Sequence, residues 1–518
     1  MIARRWWTLV AVCGATFMLL VDVTIVQVAV PQMQRDLHAT LTDVQWVINA
    51  YVLALAALIL TAGSLADSFG RKRVFIIGIV IFTAASALCG FSSSALSLIV
   101  CRAIQGIGGA AMFATSLALI GQEFAGAERG TAIAAWGATV GGAVAIGPLV
   151  GGIVTDALGW QWIFFVNVPI GVLAVAISQP LLVNIRDPGA ARLDRAGLAC
   201  FSGALFGLVF GLQRGNAAGW GSAQVIGPLA AAVVLLVLFV CLEIRHPRAM
   251  FDFELFRNPA FCGVSLGTYA LGAGAFAQLV FVALYLQDVL GYSPLQGGLR
   301  MLPMTALVFV VPLATRRLVA KVPQRALLGA GLAATAVGLF LMHDVTPASR
   351  WTALLPGLVL QGVGIGLANP AIAATALGVV ARTRTGMASG ISNTFRLGGV
   401  ATGVSALGAL FTSRIGSELS TRLPHEAGRL ASVVAAGGVR AAAAASSAAD
   451  RAAVVSAARA AFVAGFDEIL LAGAIVTAVG AVCALALIRA RDFVRSAEQP
   501  SGADAPAAAP PPAPVGEH

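Results

Sequence analysis

Gly63-Ser64-Leu65-Ala66-Asp67-Ser68-Phe69-Gly70-Arg71-Lys72-Arg73 joins two long apolar stretches, residues 44 to 63 and 74 to 91. Runs of about 20 apolar residues cross hydrocarbon as helices, because a backbone in lipid must satisfy its own polar groups. The segment 63 to 73 then reads as a short hairpin at one membrane face, tightened by Gly63 and Gly70. Its cluster Arg71, Lys72 and Arg73 marks that face as cytoplasmic, since Lys and Arg concentrate in cytoplasmic loops.

Similar runs lie near residues 8 to 30, 95 to 120, 131 to 155, 162 to 183, 196 to 212, 223 to 242, 261 to 287, 300 to 319, 325 to 342, 352 to 378, 387 to 411 and 468 to 488. Fourteen helices are therefore expected, in an all-α polytopic membrane protein. Composition agrees: 58% of residues are hydrophobic and 11% charged, where soluble domains carry about a quarter charged. An even number of spans puts both termini on one side. Of the 33 Lys and Arg, 21 fall in segments that would be cytoplasmic and 4 (Arg35, Arg214, Arg300, Arg350) in short outer loops, so both termini are expected inside.

That topology accounts for the net charge of +10 without a nucleic-acid surface, because the basic residues sit in short loops beside apolar runs. Trp46, Trp160, Trp162, Trp220 and Trp351 fall at outer helix ends, where an aromatic belt is expected. Arg4 and Arg5 precede an apolar run as in a signal peptide, but the run is too long and holds Asp22, which suggests an uncleaved first helix. The seven cysteines show no CxxC pair and the five histidines are scattered, so neither a metal site nor a disulfide framework is indicated. With no GxxxxGK[ST] loop either, neither a cofactor nor enzymatic chemistry is expected.

Gln105-Gly106-Ile107-Gly108 recurs 256 residues later as Gln361-Gly362-Val363-Gly364, and Gly130-Thr131 recurs at the same offset as Gly386-Met387. Either two six-helix halves are duplicated around an inserted pair, or abundant glycine matches by chance. The first reading divides the chain into residues 1–185, a hairpin at 186–245, a second half at 246–495 and a tail at 496–518. Within the second half, the alanine-rich outer stretch 412–466 could hold a surface helix or be mobile. The tail, with Pro506 to Pro514 only Pro and Ala, is expected to be disordered and cytoplasmic.

Several segments together resemble the major facilitator superfamily, specifically its fourteen-helix drug:proton antiporter branch. They are the loop Gly63 to Arg73, Leu20-Val21-Asp22 to Pro31 in helix 1, Arg102 to Gly109 in helix 4, Gly147-Pro148-Leu149-Val150-Gly151-Gly152 in helix 5, Trp160 to Pro169, Tyr285-Leu286-Gln287 and Gly291-Tyr292-Ser293-Pro294. Gln27, Gln161 and Ala143 depart from the usual Asn, Arg and Gly, and the second-half loop Ala314 to Lys321 keeps positive charge without the Gly and Asp pattern. The resemblance implies two six-helix bundles plus a two-helix hairpin. It also implies alternating-access export of amphiphilic drugs or antibiotics in exchange for protons, across the cytoplasmic membrane. A proton gradient would be the energy source and a single copy would suffice. A proton-coupled uptake symporter of the same fold, or a membrane sensor or enzyme, is the rival.

Asp22 is the one carboxylate placed well inside an expected span, at a depth similar to that of Arg102, which permits a pair. Such a carboxyl group can take up a proton in one conformation and lose it in another as a cation approaches. Two readings stand, proton coupling and a static helix-to-helix ion pair, and the resemblance implies the first. In helix 5, Gly137, Gly141, Gly147, Gly151 and Gly152 allow close approach and Pro148 invites a kink, which reads as a sliding seam or as ordinary packing. At the loop, Gly63, Asp67, Gly70, Arg71 and Arg73 read as a conformational latch, with Asp67 aimed at the start of helix 13 near Gly386. The resemblance places helices 1, 4, 9 and 12 around a cavity. That makes Gln27, Met112, Phe113, Gln278, Phe281, Gln361 and Asn369 substrate candidates. For Arg300 and Arg396 two readings stand, selection of anionic substrates and side chains that reach the interface.

Overall fold

The computed structural model describes residues 4–124, 126–185, 194–245, 251–315, 322–380, 385–444, 446–447 and 450–493. The tail 496–518 and the basic stretch Arg316 to Lys321 lie outside the described residues. Fourteen long helices carry the apolar runs. They are α1 (Arg4–Asp36), α2 (Leu41–Phe69), α3 (Arg71–Gly90), α4 (Ala95–Glu123), α5 (Gly126–Leu158), α6 (Trp162–Leu181), α7 (Arg195–Ala218), α8 (Ala223–Arg245) and α9 (Pro259–Val289). After them come α10 (Pro294–Ala314), α11 (Gln324–Leu341), α12 (Leu355–Gly378), α13 (Thr385–Arg422) and, beyond a shorter helix α14 (Ala427–Ala444), α15 (Arg451–Leu487). Thirteen pass the length and hydropathy test for a span, and α5 passes as a bent pair. The protein is a multi-pass membrane protein.

Helix starts follow local chemistry. Thr40 with Asp43, Ser94 with Ser97 and Ser293 with Gln296 each form a reciprocal capping box at the heads of α2, α4 and α10. The repeat is structural. A Cβ on Gly106 would lie 2.5 Å from Tyr51 O in α2, and one on Gly362 would lie 2.5 Å from Met304 O in α10. A Cβ on Gly108 would approach Gly78 O to 2.7 Å, and one on Gly364 would approach Gly331 O to 2.5 Å. Both backbone crossings, α3 on α4 and α11 on α12, are thus made by glycine because no side chain fits between them. The α7–α8 hairpin sits against both halves: Phe206 packs 5.6 Å from Trp46 of α2, and Gln213 Nε2 donates to Ser405 Oγ of α13 at 3.2 Å.

Three expectations change, and one open alternative, that for 412–466, is decided in favour of helix. Helix α2 does not stop at Gly63 but runs to Phe69, so the hairpin is a single residue, Gly70, at φ +104°. Helix α10 begins at Pro294, which draws Arg300 from the expected loop into a helix. The stretch 412–466 is largely helical, made of the end of α13, α14 and the start of α15, because its many alanines favour helix. Trp160 is fully buried rather than part of a belt, while Trp162 and Trp220 are exposed.

Candidate functional site

The end of the bundle carrying Arg71–Arg73 is called here the basic end, and its opposite the far end. Helix α1 runs six residues past its expected stop, to Asp36, and Asp22 lies in its interior. Its Oδ2 accepts from Arg102 Nη1 of α4 in an ion pair whose side chains are 0% and 1% exposed. An ion pair so far from water is stable only when its remaining lone pairs and protons are also matched. They are. Gln105 Nε2 donates to Asp22 Oδ1 at 3.0 Å, and Asn167 Nδ2 of α6 donates to the same oxygen at 3.1 Å. Arg102 also donates to Gln105 Oε1 at 2.7 Å and to Val47 O at 3.2 Å, with its guanidinium 4.1 Å over the Tyr51 ring. Asn167 bonds Ser86 Oγ at 3.0 Å, and Ser86 bonds Phe164 O, so the network reaches five helices, α1, α2, α3, α4 and α6.

The structure therefore brings Asp22 and Arg102 together and adds Asn167, Ser86 and Tyr51, which sequence reasoning did not single out. Their available signal was polarity within apolar runs, and it does not say which face a residue occupies.

Helix α5 passes beside this network. Its pieces Ala135–Ala143 and Ile146–Leu158 meet at 45°, where Pro148 removes a donor and its ring crowds the carbonyl four residues back. Beyond the bend, a Cβ on Gly147 would run into the Thr24 hydroxyl, and one on Gly151 would lie 2.8 Å from Ile25 O, within one turn of Asp22. Gly152 faces the other half: a Cβ there would lie 2.6 Å from Pro294 O, while Pro148 O lies 2.6 Å from the Cβ position of Gly298. The seam is made by these four residues. Gly137 and Gly141 have no atom within 4 Å of their Cβ positions and take no part in it.

At the basic end, Asp67 Oδ1 accepts from Arg71 Nε at 3.1 Å and Nη2 at 3.0 Å. Among the described residues no bond joins it to α13. Gly63 lies within α2, and its Cβ would meet nothing within 4 Å; only Gly70 needs to be glycine, because the Asn184 side chain fills its Cβ position. Asn184 Oδ1 accepts from Arg73 N at 3.4 Å and Ile185 O accepts from Arg71 N at 3.3 Å, so the segment after α6 braces the turn.

At the far end the two halves are sealed. Gln287 Nε2 donates to Val28 O at 2.8 Å, Arg35 pairs with Asp288 at 3.4 Å, and Asn49 donates to Ser405 Oγ at 2.9 Å. Among the substrate candidates, Gln278 and Gln361 meet, both donating to Ala275 O, at 3.2 and 3.4 Å. Ala275 lies in a π-helical turn, Leu271–Phe276, which is how an intrahelical carbonyl becomes available to side chains. The amide oxygens of Gln27, Gln278 and Gln361 are buried without partners among the described residues. Met112 is buried, Phe113 packs 5.8 Å from Trp136, and Phe281 is buried 5.2 Å from Phe411. Asn369 is half-buried. Arg300 stacks 3.5 Å over Tyr292 and donates to Gln296 O at 2.8 Å.

The family model described as Major Facilitator Superfamily matches residues 12–404. The chain belongs to the major facilitator superfamily. Relatives in this superfamily include the Tetracenomycin C resistance and export protein of Streptomyces glaucescens, 35% identical over 420 residues, which are 80% of this chain and 77% of that protein. The Multidrug resistance protein Stp of Mycobacterium tuberculosis is 35% identical over 418 residues, 80% and 78% of the two chains. The probable actinorhodin transporter of Streptomyces coelicolor is 33% identical over 449 residues, 84% and 77%. Among solved structures, a bacterial homologue of the human lysosomal transporter Spinster, inward-facing and occupied, superposes with a TM-score of 0.64 at 17% identity, covering 96% of this chain and 100% of that one. At that identity the likeness establishes the major facilitator fold alone.

Proposed function

We propose that this protein is a proton-driven antiporter that exports drugs, antibiotics or related amphiphilic compounds by alternating access. It would act as a monomer in the cytoplasmic membrane, with both termini in the cytoplasm, and would need no cofactor beyond the proton gradient. The observation that carries the reading is the fully buried Asp22, matched by Arg102, Gln105 and Asn167 and lying within a turn of the Gly147–Gly151 seam. A carboxylate so placed depends on its partners for every hydrogen bond it makes, and helix α5 touches both α1 and the opposite half. Sliding along that seam would alter Asp22's surroundings and the far-end closure together. Relatives named for resistance and export favour export over uptake.

In this reading the basic end is cytoplasmic and the far end is outer. The outer contacts favour a state closed at that end, with Asp67 resting on Arg71; the proposed Asp67 latch to the start of α13 would form when the cytoplasmic side closes. Gln27, Met112, Phe113, Gln278, Phe281, Gln361 and Asn369 remain the proposed substrate contacts. One proton moving inward supplies about 2.3 kcal/mol per 100 mV. The test is dye or antibiotic transport in sealed proteoliposomes under an imposed pH difference. Wild-type protein is expected to follow the gradient and Asp22→Asn to lose it; undiminished proton-driven transport by Asp22→Asn would remove Asp22 from coupling.

A further inference from the structure

Arg396 lies eleven residues into α13, roughly 16 Å from its start at 1.5 Å rise per residue, and is only half-buried. The neighbours of α13 fix where it faces. Gly390, Ser405 and Gly408 meet Leu60, Asn49 and Gln45 of α2. Gly399 and Gly403 meet Tyr269 and Ala273 of α9, and on a third side Gly398 and Ser405 meet Leu205 and Gln213 of α7. At roughly 100° per residue, Arg396, Asn393 and Ser389 occupy the arc between α2 and α9 and opposite α7; farther along α13 the same arc meets α15, where Phe411 packs on Gly465 and Arg414 lies 4.0 Å from Glu468. At the level of Arg396, α13 borders α2 of the opposite half on one side and α9 on the other.

The side chain there is arranged rather than loose. Arg396 Nη2 donates to Asn393 Oδ1 at 2.5 Å, and Asn393 Nδ2 donates to Ser389 O at 2.9 Å. Among the described residues no carboxylate pairs with Arg396, whereas Arg102 has Asp22. A guanidinium has five N–H donors, and at membrane depth those left unmatched call for water or an anion. Arg396's own backbone meets Gly272, one turn before Ala275, so the Gln278 and Gln361 amide oxygens lie close to its level.

Resting on the export reading, we propose that Arg396, oriented by Asn393, binds the anionic group of the transported compound, so that preferred substrates are amphiphiles bearing a carboxylate or comparably acidic group.

Two dyes test this in proteoliposomes under a pH gradient, anionic carboxyfluorescein and cationic rhodamine 6G. Arg396→Gln is expected to lower carboxyfluorescein transport roughly tenfold or more, the scale of one charge-assisted hydrogen bond, with rhodamine within about twofold of wild type. Arg396→Lys, which keeps the charge, should retain part of the anionic activity. Equal loss of both dyes, with wild-type-like folding by size exclusion, would mean a structural arginine and overturn the proposal. Wild type that moves rhodamine and not carboxyfluorescein would overturn the proposal; if it moves neither dye, fluorescence anisotropy of carboxyfluorescein on the purified protein decides. Binding lost in Arg396→Gln supports the site, and no binding to wild type overturns it. Loss of gradient dependence for every compound, with carboxyfluorescein binding intact, would instead defeat the export reading alone.

Discussion

At the scale of single residues, the protein holds a fully buried ion pair, Asp22 with Arg102, in a polar network. Removing one member of a buried pair strands the other charge, which typically costs about 3–5 kcal/mol, whereas neutralising both partners with residues of similar shape leaves no stranded charge. Arg102→Ala should therefore lower the melting temperature of the purified protein more than the double variant Asp22→Asn/Arg102→Gln does, although the double variant deletes more charge. Thermal unfolding in detergent checks the order, and a double variant less stable than Arg102→Ala would show that the pair itself supplies net stability. Asp22 and Arg102 were legible because charge in a membrane helix is rare and their depths were comparable. Asn167, Ser86 and Tyr51 were not, since a neutral polar side chain in an apolar run gives no hint of its neighbour until the helices are packed.

At the scale of elements, the loop 63–73 shows how far pattern reading goes. Charge and apolar runs correctly placed a hairpin between α2 and α3, but two glycines suggested a turn spanning both. In the structure α2 swallows Gly63 and only Gly70, at φ +104°, leaves helical geometry. The same blindness moved the start of α15 seventeen residues earlier than its apolar run, to Arg451, because hydropathy marks the lipid-crossing part and not where hydrogen bonding begins. Two substitutions separate the glycines. Gly63→Ala meets open space in a helix and should be stabilising by roughly 0.5–1 kcal/mol. Gly70→Ala must adopt a positive φ of +104°, a conformation that costs a non-glycine residue about 1–3 kcal/mol, and also displaces Asn184. Expression and transport should follow that order, and equal damage from both would restore the wider turn.

At the scale of the molecule, two halves built on one plan touch along α2–α13 and α5–α10, and the contacts that must part for the far end to open are polar or glycine-lined. Gln45 Nε2 donates to Val404 O at 3.4 Å, and the Gly408 Cβ position falls on the Gln45 side chain. Arg35 and Asp288, the latter only 5% exposed, bridge the halves nearby, and Gly438 of α14, at φ +61°, places its Cβ position 2.5 Å from Asp288 Cβ. The duplicated bundle was readable from two tetrapeptides, because glycines at helix crossings are forced by backbone contact in both halves. Which end is closed was not readable, since both conformations use the same residues. If the closed far end alternates with an open one, tethering it must stop turnover. In a background with its native cysteines replaced, Gln45→Cys/Gly408→Cys should be joined by a short, reducible bifunctional thiol reagent. The cross-linked protein should lose transport and regain it on reduction, with either single variant unaffected by the reagent. Transport that continues with the tether in place would mean that this interface stays shut throughout the cycle, and that exchange does not proceed by parting α2 from α13.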